Sequence, residues 1–262
     1  MKQRLLTYLR APRFRVLKRA ALLLRGVLFL GTRAHCPVCD WSLRGFTAKH
    51  GLLAATADGY CPRCNAKARH RRIWQYLQAN TNLFKDKLRL LEVAPWPSLG
   101  QRLMRRPNIE YVGMDLNPNC AFTTVAGDLA AAPLRDNYFD AVLCVHVLEH
   151  VKNDRAAIGE LFRVLKPGAW AVVSVPLLLD EVTREDPAVT SPQDRERLFG
   201  EASHVRYYGT DFIDRLRAAG FEVRLDPGRS VSAAARARFG LRDDENIFHC
   251  TKPRSPATAS VD

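Results

Sequence analysis

Residues 136–176 read DNYFDAVLCVHVLEHVKNDRAAIGELFRVLKPGAWAVVSVP, and this stretch decides the fold. Asp136-Asn137 is a turn signal. Phe139–Val145 is almost entirely apolar and bounded by turn residues, as a strand buried on both faces requires. Residues 147–165 place Val147, Val151, Ile158, Leu161, Phe162 and Leu165 close to helical spacing, and Pro167-Gly168 ends that helix. Residues 170–175 form a second apolar run. Strand, helix, turn and strand within about 40 residues predict a βαβ crossover, the unit of a parallel sheet. Ligands of such sheets sit beyond the carboxyl ends of the strands. The first strand ends at Val145-His146, so His146, Glu149 and His150 are expected near a pocket rim.

Working outward, residues 139–151 (FDAVLCVHVLEHV) and 163–176 (RVLKPGAWAVVSVP) resemble class I S-adenosylmethionine-dependent methyltransferases, of the methyltransferase type 11-like kind. The resemblance extends over roughly residues 88–223. It implies an α/β fold: a doubly wound, mostly parallel seven-stranded sheet, Rossmann-like. It also implies S-adenosylmethionine as cofactor and methyl transfer as the reaction. Residues 88–93 are a short apolar strand, and in the family pattern a glycine-rich loop follows it. Here the loop reads Ala94-Pro95-Trp96-Pro97-Ser98-Leu99-Gly100, without the glycine fingerprint. Glycine allows close backbone approach, whereas two prolines stiffen the loop. S-adenosylmethionine carries no phosphate, so binding does not demand a phosphate cradle, and the missing fingerprint argues against NAD.

Residues 111–116 (YVGMDL) read as the second strand. Asp115 lies 23 residues beyond Glu92, a position suited to accepting both ribose hydroxyls; capping the segment at Asn117 is the competing role. Residues 125–129 read as the third strand, and the family's acid facing the adenine amino group maps onto Asp128. The cofactor set implied by the resemblance is Glu92, Ala94, Pro95, Asp115, Leu116, Asp128, Leu129, Val145 and His146. His146 and His204 are the catalytic candidates, as contacts to the acceptor or as a general base. Residues 146–150 also spell HxxEH, the signature of a zinc metallopeptidase group. That motif counts only in its own structural context, and here it follows a buried strand inside a βαβ unit.

The 262 residues leave room for one α/β domain and a small module. The net charge of +13 is unevenly spread: residues 1–72 hold +14 and residues 73–262 hold −1. Such asymmetry points to an anionic partner for the N-terminal part. Cys36-Pro-Val-Cys39 and Cys61-Pro-Arg-Cys64 form two CxxC knuckles with 21 residues between them. Two thiolates from each knuckle fill opposite edges of a tetrahedron, which predicts a structural Zn2+ at Cys36, Cys39, Cys61 and Cys64. Free or redox-active thiol pairs are the alternative. Seven cysteines in this pattern fit a reducing cytoplasm rather than a secreted disulfide framework. His35, His50 and His70 read as surface residues, His35 as a reserve ligand. Residues 67–72 (KARHRR) could follow phosphates or open a helix. Some ribosomal-RNA guanine methyltransferases also join a cysteine-rich zinc module to such a domain.

The expected organisation is a basic amphipathic arm (1–33), a four-cysteine zinc module (34–72), the methyltransferase domain (73–252) with a lid-like insertion (178–209), and a disordered tail (253–262). The arm holds nine Lys/Arg and no acid, with Phe14, Leu17, Ala21, Leu24 and Leu28 on one helical face. It lacks the marks of a signal peptide and its apolar run is about half the ~20 residues of a membrane span. RNA, an anionic membrane surface and the chain's own domain are its possible partners, and the expected location is cytoplasmic, peripheral at a membrane if the arm binds lipid. The methyl acceptor (small molecule, glycan or lipid, or RNA) is not readable from the residues. The alternative function is a zinc-bearing, non-catalytic scaffold with a degenerate cofactor loop.

Overall fold

The computed structural model describes residues 12–48, 55–56, 59–178 and 181–254. The tail beyond residue 254, residues 1–11 and His50 lie outside the described residues. The chain divides into two compact units, Met1–Tyr76 with Val231–Arg242, and Leu77–Ser230 with Asp243–Asp262.

In the first unit, helix α1 (Pro12–Leu28) opens on a proline, whose missing N–H costs nothing at a helix start. Strand β1 (Leu30–Cys36) pairs antiparallel with β2 (Trp41–Leu43), and β3 (Phe46–Thr47) with β4 (Ala55–Thr56). Each CxxC knuckle ends in a left-handed residue, Asp40 (φ +53°) after Cys39 and Asn65 (φ +62°) after Cys64. Asp and Asn are the non-glycine residues that tolerate this region best, so the chain can reverse tightly enough to aim two thiols at one point. Helix α2 (Ala68–Asn80) follows.

The basic run that opens α2 withdraws part of its charge from solvent. Arg71 is fully buried, and Arg72 and His70 are buried too. Arg71 donates to the carbonyls of Gly59 (2.9 Å), Ala66 (2.7 Å), Phe239 (2.7 Å) and Gly240 (2.6 Å) and lies over the Phe46 ring at 3.7 Å. A guanidinium has five donors in a fixed fork, and four go to backbone that no regular ladder satisfies. His70 accepts from Lys67 N at 3.2 Å rather than sitting on the surface.

The second unit holds helix α3 (Pro97–Leu103) and a seven-stranded sheet. Its strands are β5 (Leu88–Val93), β6 (Ile109–Asp115), β7 (Val125–Ala126), β8 (Phe139–Val145), β9 (Leu165–Ser174), β12 (Glu222–Asp226) and β13 (Ile247–Thr251). The order is β12-β13-β9-β8-β5-β6-β7, and only β13 runs antiparallel to its neighbours. This is the doubly wound, mostly parallel architecture that the sequence predicts. The core clusters Leu91, Val93, Val142, Cys144, Ile158, Leu161, Val173 and Phe248.

Several local expectations are corrected. The helix predicted over residues 147–165 is split: a 3₁₀ turn at Leu148–His150 precedes α4 (Asp154–Val164), whose N-cap Asn153 accepts from Ala156 N. His146 adopts φ +53°, which no helix accommodates, so His146 and His150 do not share a helical face. Pro167 and Gly168 lie within β9, at an irregular register, instead of ending a helix. The third strand shrinks to two residues because the Asp128 side chain caps a 3₁₀ turn at Leu129–Ala131. Helix α6 (Phe212–Ala218) starts after Asp211. Helix α7 (Ala233–Phe239) is capped by Ser232.

The insertion carries β10 (Arg184–Glu185), α5 (Pro192–Phe199) and β11 (Arg206–Tyr207). A charged network fixes it. Arg215 donates to Asp154 (2.9 Å) and Glu185 (2.8 Å), Arg206 donates to Glu185 (2.8 Å), and the Tyr208 hydroxyl donates to Asp154 (2.9 Å). The hydrogen bond from Arg215, then that from Arg206, holds the Glu185 carboxyl down at about 2. Among the described residues no helix is long and apolar enough to cross a membrane.

Two neighbouring parallel strands, β5 and β8, end in sharp turns. Ala94 follows β5 with φ +48° and His146 follows β8 with φ +53°. Ala94 N donates to Met114 O at 2.7 Å, and His146 N to Ser174 O at 2.8 Å. A left-handed alanine costs about 1–2 kcal/mol, while glycine's extra unfolded-state freedom returns about 0.5–1 kcal/mol. Ala94→Gly should therefore stabilise the chain by about 0.5–1 kcal/mol, and Ala94→Val should destabilise it, both read by thermal unfolding. A clear loss of stability in Ala94→Gly would contradict the turn.

Glu92, also on β5, is buried. Its Oε2 accepts from the Tyr111 hydroxyl at 2.7 Å and its Oε1 from Trp96 N at 3.3 Å. Burial pushes the carboxyl up to about 7 against both bonds, from an ordinary 4.5. A raised carboxyl binds its proton more tightly folded than unfolded, so its contribution is full below about pH 4.5 and is lost as pH rises through about 7. Glu92→Gln should thus gain on the native chain by roughly 2–3 kcal/mol between pH 5 and pH 8, measured by denaturant unfolding at each pH. An unchanged difference would refute it.

Candidate functional site

The cysteines of the first unit meet as the knuckles require. Cys36 Sγ lies 3.7 Å from Cys64 Sγ, and Cys39 Sγ lies 3.7 Å from Cys61 Sγ. All four sulfurs are within 4.8 Å of one another. Four thiolates at the usual Zn–S distance span tetrahedral edges of about 3.8 Å, so the residues present fit a zinc ion. Hydrogen bonding to Cys36 leads the causes that push the Cys39 and Cys64 thiols up. Cys61 is held down by its bonds to Cys36, Cys39 and Cys64, although burial opposes this. A divalent cation would remove that competition for protons, since it binds thiolates. His35 is directed elsewhere, its Nε2 3.3 Å from Asp40 and its ring edge-on to Phe239.

The second candidate site lies at the strand tips of the second unit. From β5 the chain proceeds to β6 and β7 on one side, and from β8 to β9 on the other. Such a reversal opens a crevice at the carboxyl ends of the two strands. Val93 and Cys144 are register partners across it, so Ala94 and Val145-His146 stand at its two lips. Ala94 occupies the left-handed backbone region that favours glycine, so the turn forms here without that residue. Pro95 is buried. A Cβ at Gly113 would come within 2.9 Å of Pro95 and 2.0 Å of Phe122 O, so Gly113 allows this packing.

Asp115 ends β6 and is half-buried. Its Oδ1 accepts from Asn117 N at 2.8 Å, a local turn bond rather than a helix cap, since no helix begins there. Asp128 is exposed and likewise spends Oδ1 on Ala130 N at 2.9 Å. Leu116, beside Asp115, is 72 % exposed, unusual for a leucine at a strand end. Leu129 instead belongs to the core. Glu92 spends both oxygens on Tyr111 and Trp96 and sits beneath the loop.

His146 Nδ1 is 3.2 Å from Glu149 Oε1, and its Nε2 is 3.7 Å from Glu245 Oε2. Sequence reasoning missed Glu245, which lies in the loop before β13 and carries no periodic or motif signal. His204 is buried and meets His150, ring centroids 4.7 Å apart, rather than His146.

Residues 91–173 match the family model described as a methyltransferase domain. A protein of Mycolicibacterium smegmatis named probable S-adenosylmethionine-dependent methyltransferase is 29 % identical over 136 residues, 52 % of this chain and 49 % of that one. The demethylmenaquinone methyltransferase of Renibacterium salmoninarum is 37 % identical over 70 residues, 27 % of this chain and 24 % of that one. The matched segments thus span about half the length of the first relative and about a quarter of the second. Among solved structures, the [4+2]-cyclase SpnF superposes with a TM-score of 0.52 at 19 % identity, covering 80 % of this chain and all of that one. An S-adenosylmethionine-dependent methyltransferase of Mesorhizobium loti superposes with a TM-score of 0.50 at 17 % identity, covering 68 % and 96 %. At such identities the likeness establishes the fold alone. In fold, strand order and the matched residues 91–173 this unit is similar to the class I S-adenosylmethionine-dependent methyltransferases.

Proposed function

We propose that the chain transfers a methyl group from S-adenosylmethionine to an acceptor bound at the strand tips of the second unit. The supporting observation is the pair of carboxylates, Asp115 and Asp128, that close consecutive strands and each keep an oxygen outside the fold. Asp115 would receive the ribose hydroxyls, Asp128 the adenine amino group, and the exposed Leu116 the purine face. Ala94 and Pro95 would form the floor beneath the nucleoside, and Val145 and His146 the wall toward the reacting methyl. The cofactor supplies an already activated methyl on a sulfonium. The chain's own task is then alignment and exclusion of water. His146 is the side chain proposed to contact the acceptor, held in place by Glu149 and Glu245.

The structural zinc is part of the same proposal: Cys36, Cys39, Cys61 and Cys64 would hold it with no open position. For the arm, an anionic membrane surface is the partner we favour. Leu23, Leu24, Val27 and Leu28 form one exposed apolar face of α1, in a segment with nine Lys/Arg and no acid. Phosphate alone gives such a face nothing to bury against, whereas a lipid surface takes both the apolar face and the charge.

Two measurements test these assignments. Calorimetric titration of the full chain with S-adenosylmethionine should give micromolar binding, weakened at least tenfold in Asp115→Ala, because two charge-assisted hydrogen bonds are worth about 1.5–3 kcal/mol each. Absence of binding to the native chain would overturn the proposal. Co-sedimentation with phosphatidylserine-containing vesicles should exceed that with neutral vesicles and be lost in the double variant Leu24→Asp, Leu28→Asp. Equal sedimentation of variant and native chain would contradict the lipid assignment, and capture of RNA without vesicle binding would favour nucleic acid.

A further inference from the structure

The turn after β8 and the end of the insertion bring Glu149, His150 and His204 together. One carboxylate oxygen and one nitrogen from each ring lie within 4.8 Å of one another. Glu149 is only 1 % exposed, and neither of its carboxylate oxygens has a hydrogen-bond donor. The 3.2 Å approach of His146 Nδ1 to Oε1 is an ion-pair contact, and it leaves Oε2 unserved. A buried carboxylate in this condition is costly unless a cation compensates it.

The two imidazoles are prepared for one. His204 Nδ1 lies 2.8 Å from Phe199 O, and His150 Nδ1 lies 3.3 Å from Ser203 O. A carbonyl only accepts, so each Nδ1 carries the proton and each Nε2 presents a lone pair. Donation of the far N–H to a carbonyl is the arrangement that fixes metal-binding histidines. The exposed carboxylate of Glu201 lies 3.6 Å from His204 Nε2.

The backbone holds these groups in register. Val205 N donates to Glu149 O at 2.9 Å. Arg206 donates to the carbonyls of Leu148 (3.0 Å), Val151 and Lys152 (2.8 Å), binding the insertion to the turn. The site is thus built on two segments tied together independently of any ion.

We propose that Glu149, His150 and His204 bind a divalent transition-metal ion of the zinc or cobalt class. Two imidazoles and one carboxylate are a donor set that zinc accepts, and at ordinary distances of about 2.0–2.1 Å the ion would draw these atoms closer. Three protein ligands leave a position for water or for an oxygen of a small molecule, unlike the four-cysteine cluster. The ligand set differs from the HxxEH pattern, since His146 is left out and His204 arrives from 54 residues beyond His150. Metal binding here is read without a methyl acceptor.

The test is a titration of the full chain, as purified, with Co2+, followed by calorimetry and absorption. The expected result is one equivalent bound with visible ligand-field bands and no new thiolate charge-transfer absorption, since its ligands are nitrogen and oxygen. Glu149→Gln and His204→Ala should lose that equivalent. His150→Ala, at an exposed position that folding tolerates, should weaken it by at least the roughly 10–100-fold seen even for outer-sphere partners. Circular dichroism separates loss of a ligand from loss of the fold, and His150→Ala decides the matter if His204→Ala misfolds. No bound equivalent in the native chain, or undiminished binding in His150→Ala, would overturn the proposal.

Discussion

Everything in the larger unit depends on one geometric constraint. β5 and β8 lie side by side and parallel, yet the chain must leave them toward opposite halves of the sheet. Neither exit can continue the strand, and each is made by a single left-handed residue, Ala94 and His146. Neither is a glycine, so the strain is sustained by the surrounding bonds, Ala94 N to Met114 O and His146 N to Ser174 O. Strain of this kind persists only where the fold over-determines it. It exposes polar backbone and two lips of a crevice at the place where the carboxylates of β6 and the β7 turn also converge.

Irregular backbone elsewhere is stabilised by one repeated device, a buried guanidinium serving several carbonyls. Arg71 does this for residues 59, 66, 239 and 240 of the first unit. Arg206 does it for residues 148, 151 and 152 of the second. The second case is anchored further by Glu185, Asp154 and Arg215. Removing one member of such a buried network leaves an uncompensated charge, typically worth 3–5 kcal/mol. The insertion is thereby held against the strand tips, and this brings His204 to His150.

Some of this was legible in the residues and some was not, for physical reasons. Strands such as Leu88–Val93, Phe139–Val145 and Ile247–Thr251 carry apolar runs because both their faces are covered, and a run of that kind has no better alternative. The cysteine cluster was legible because ligand spacing is local to each knuckle. The course of residues 146–153 was not, because helical spacing of apolar residues says nothing about a left-handed histidine that breaks the helix. The KARHRR run does open a helix, as one of its two readings had it, but the place of Arg71 was not legible, because it is spent on carbonyls that only the fold brings together. Glu245 and the meeting of His150 with His204 are tertiary facts with no local signature. The glycine-poor loop departs from the family pattern, yet the turn is a property of φ, and alanine can be forced into it.

The most direct test of the account is a crystal structure of the chain with S-adenosylhomocysteine. The account predicts the nucleoside over Ala94, its ribose hydroxyls on the free oxygen of Asp115, and its purine between Leu116 and Asp128. A nucleoside bound away from the β5–β8 crevice, or a crevice still empty in crystals saturated with it, would contradict the account.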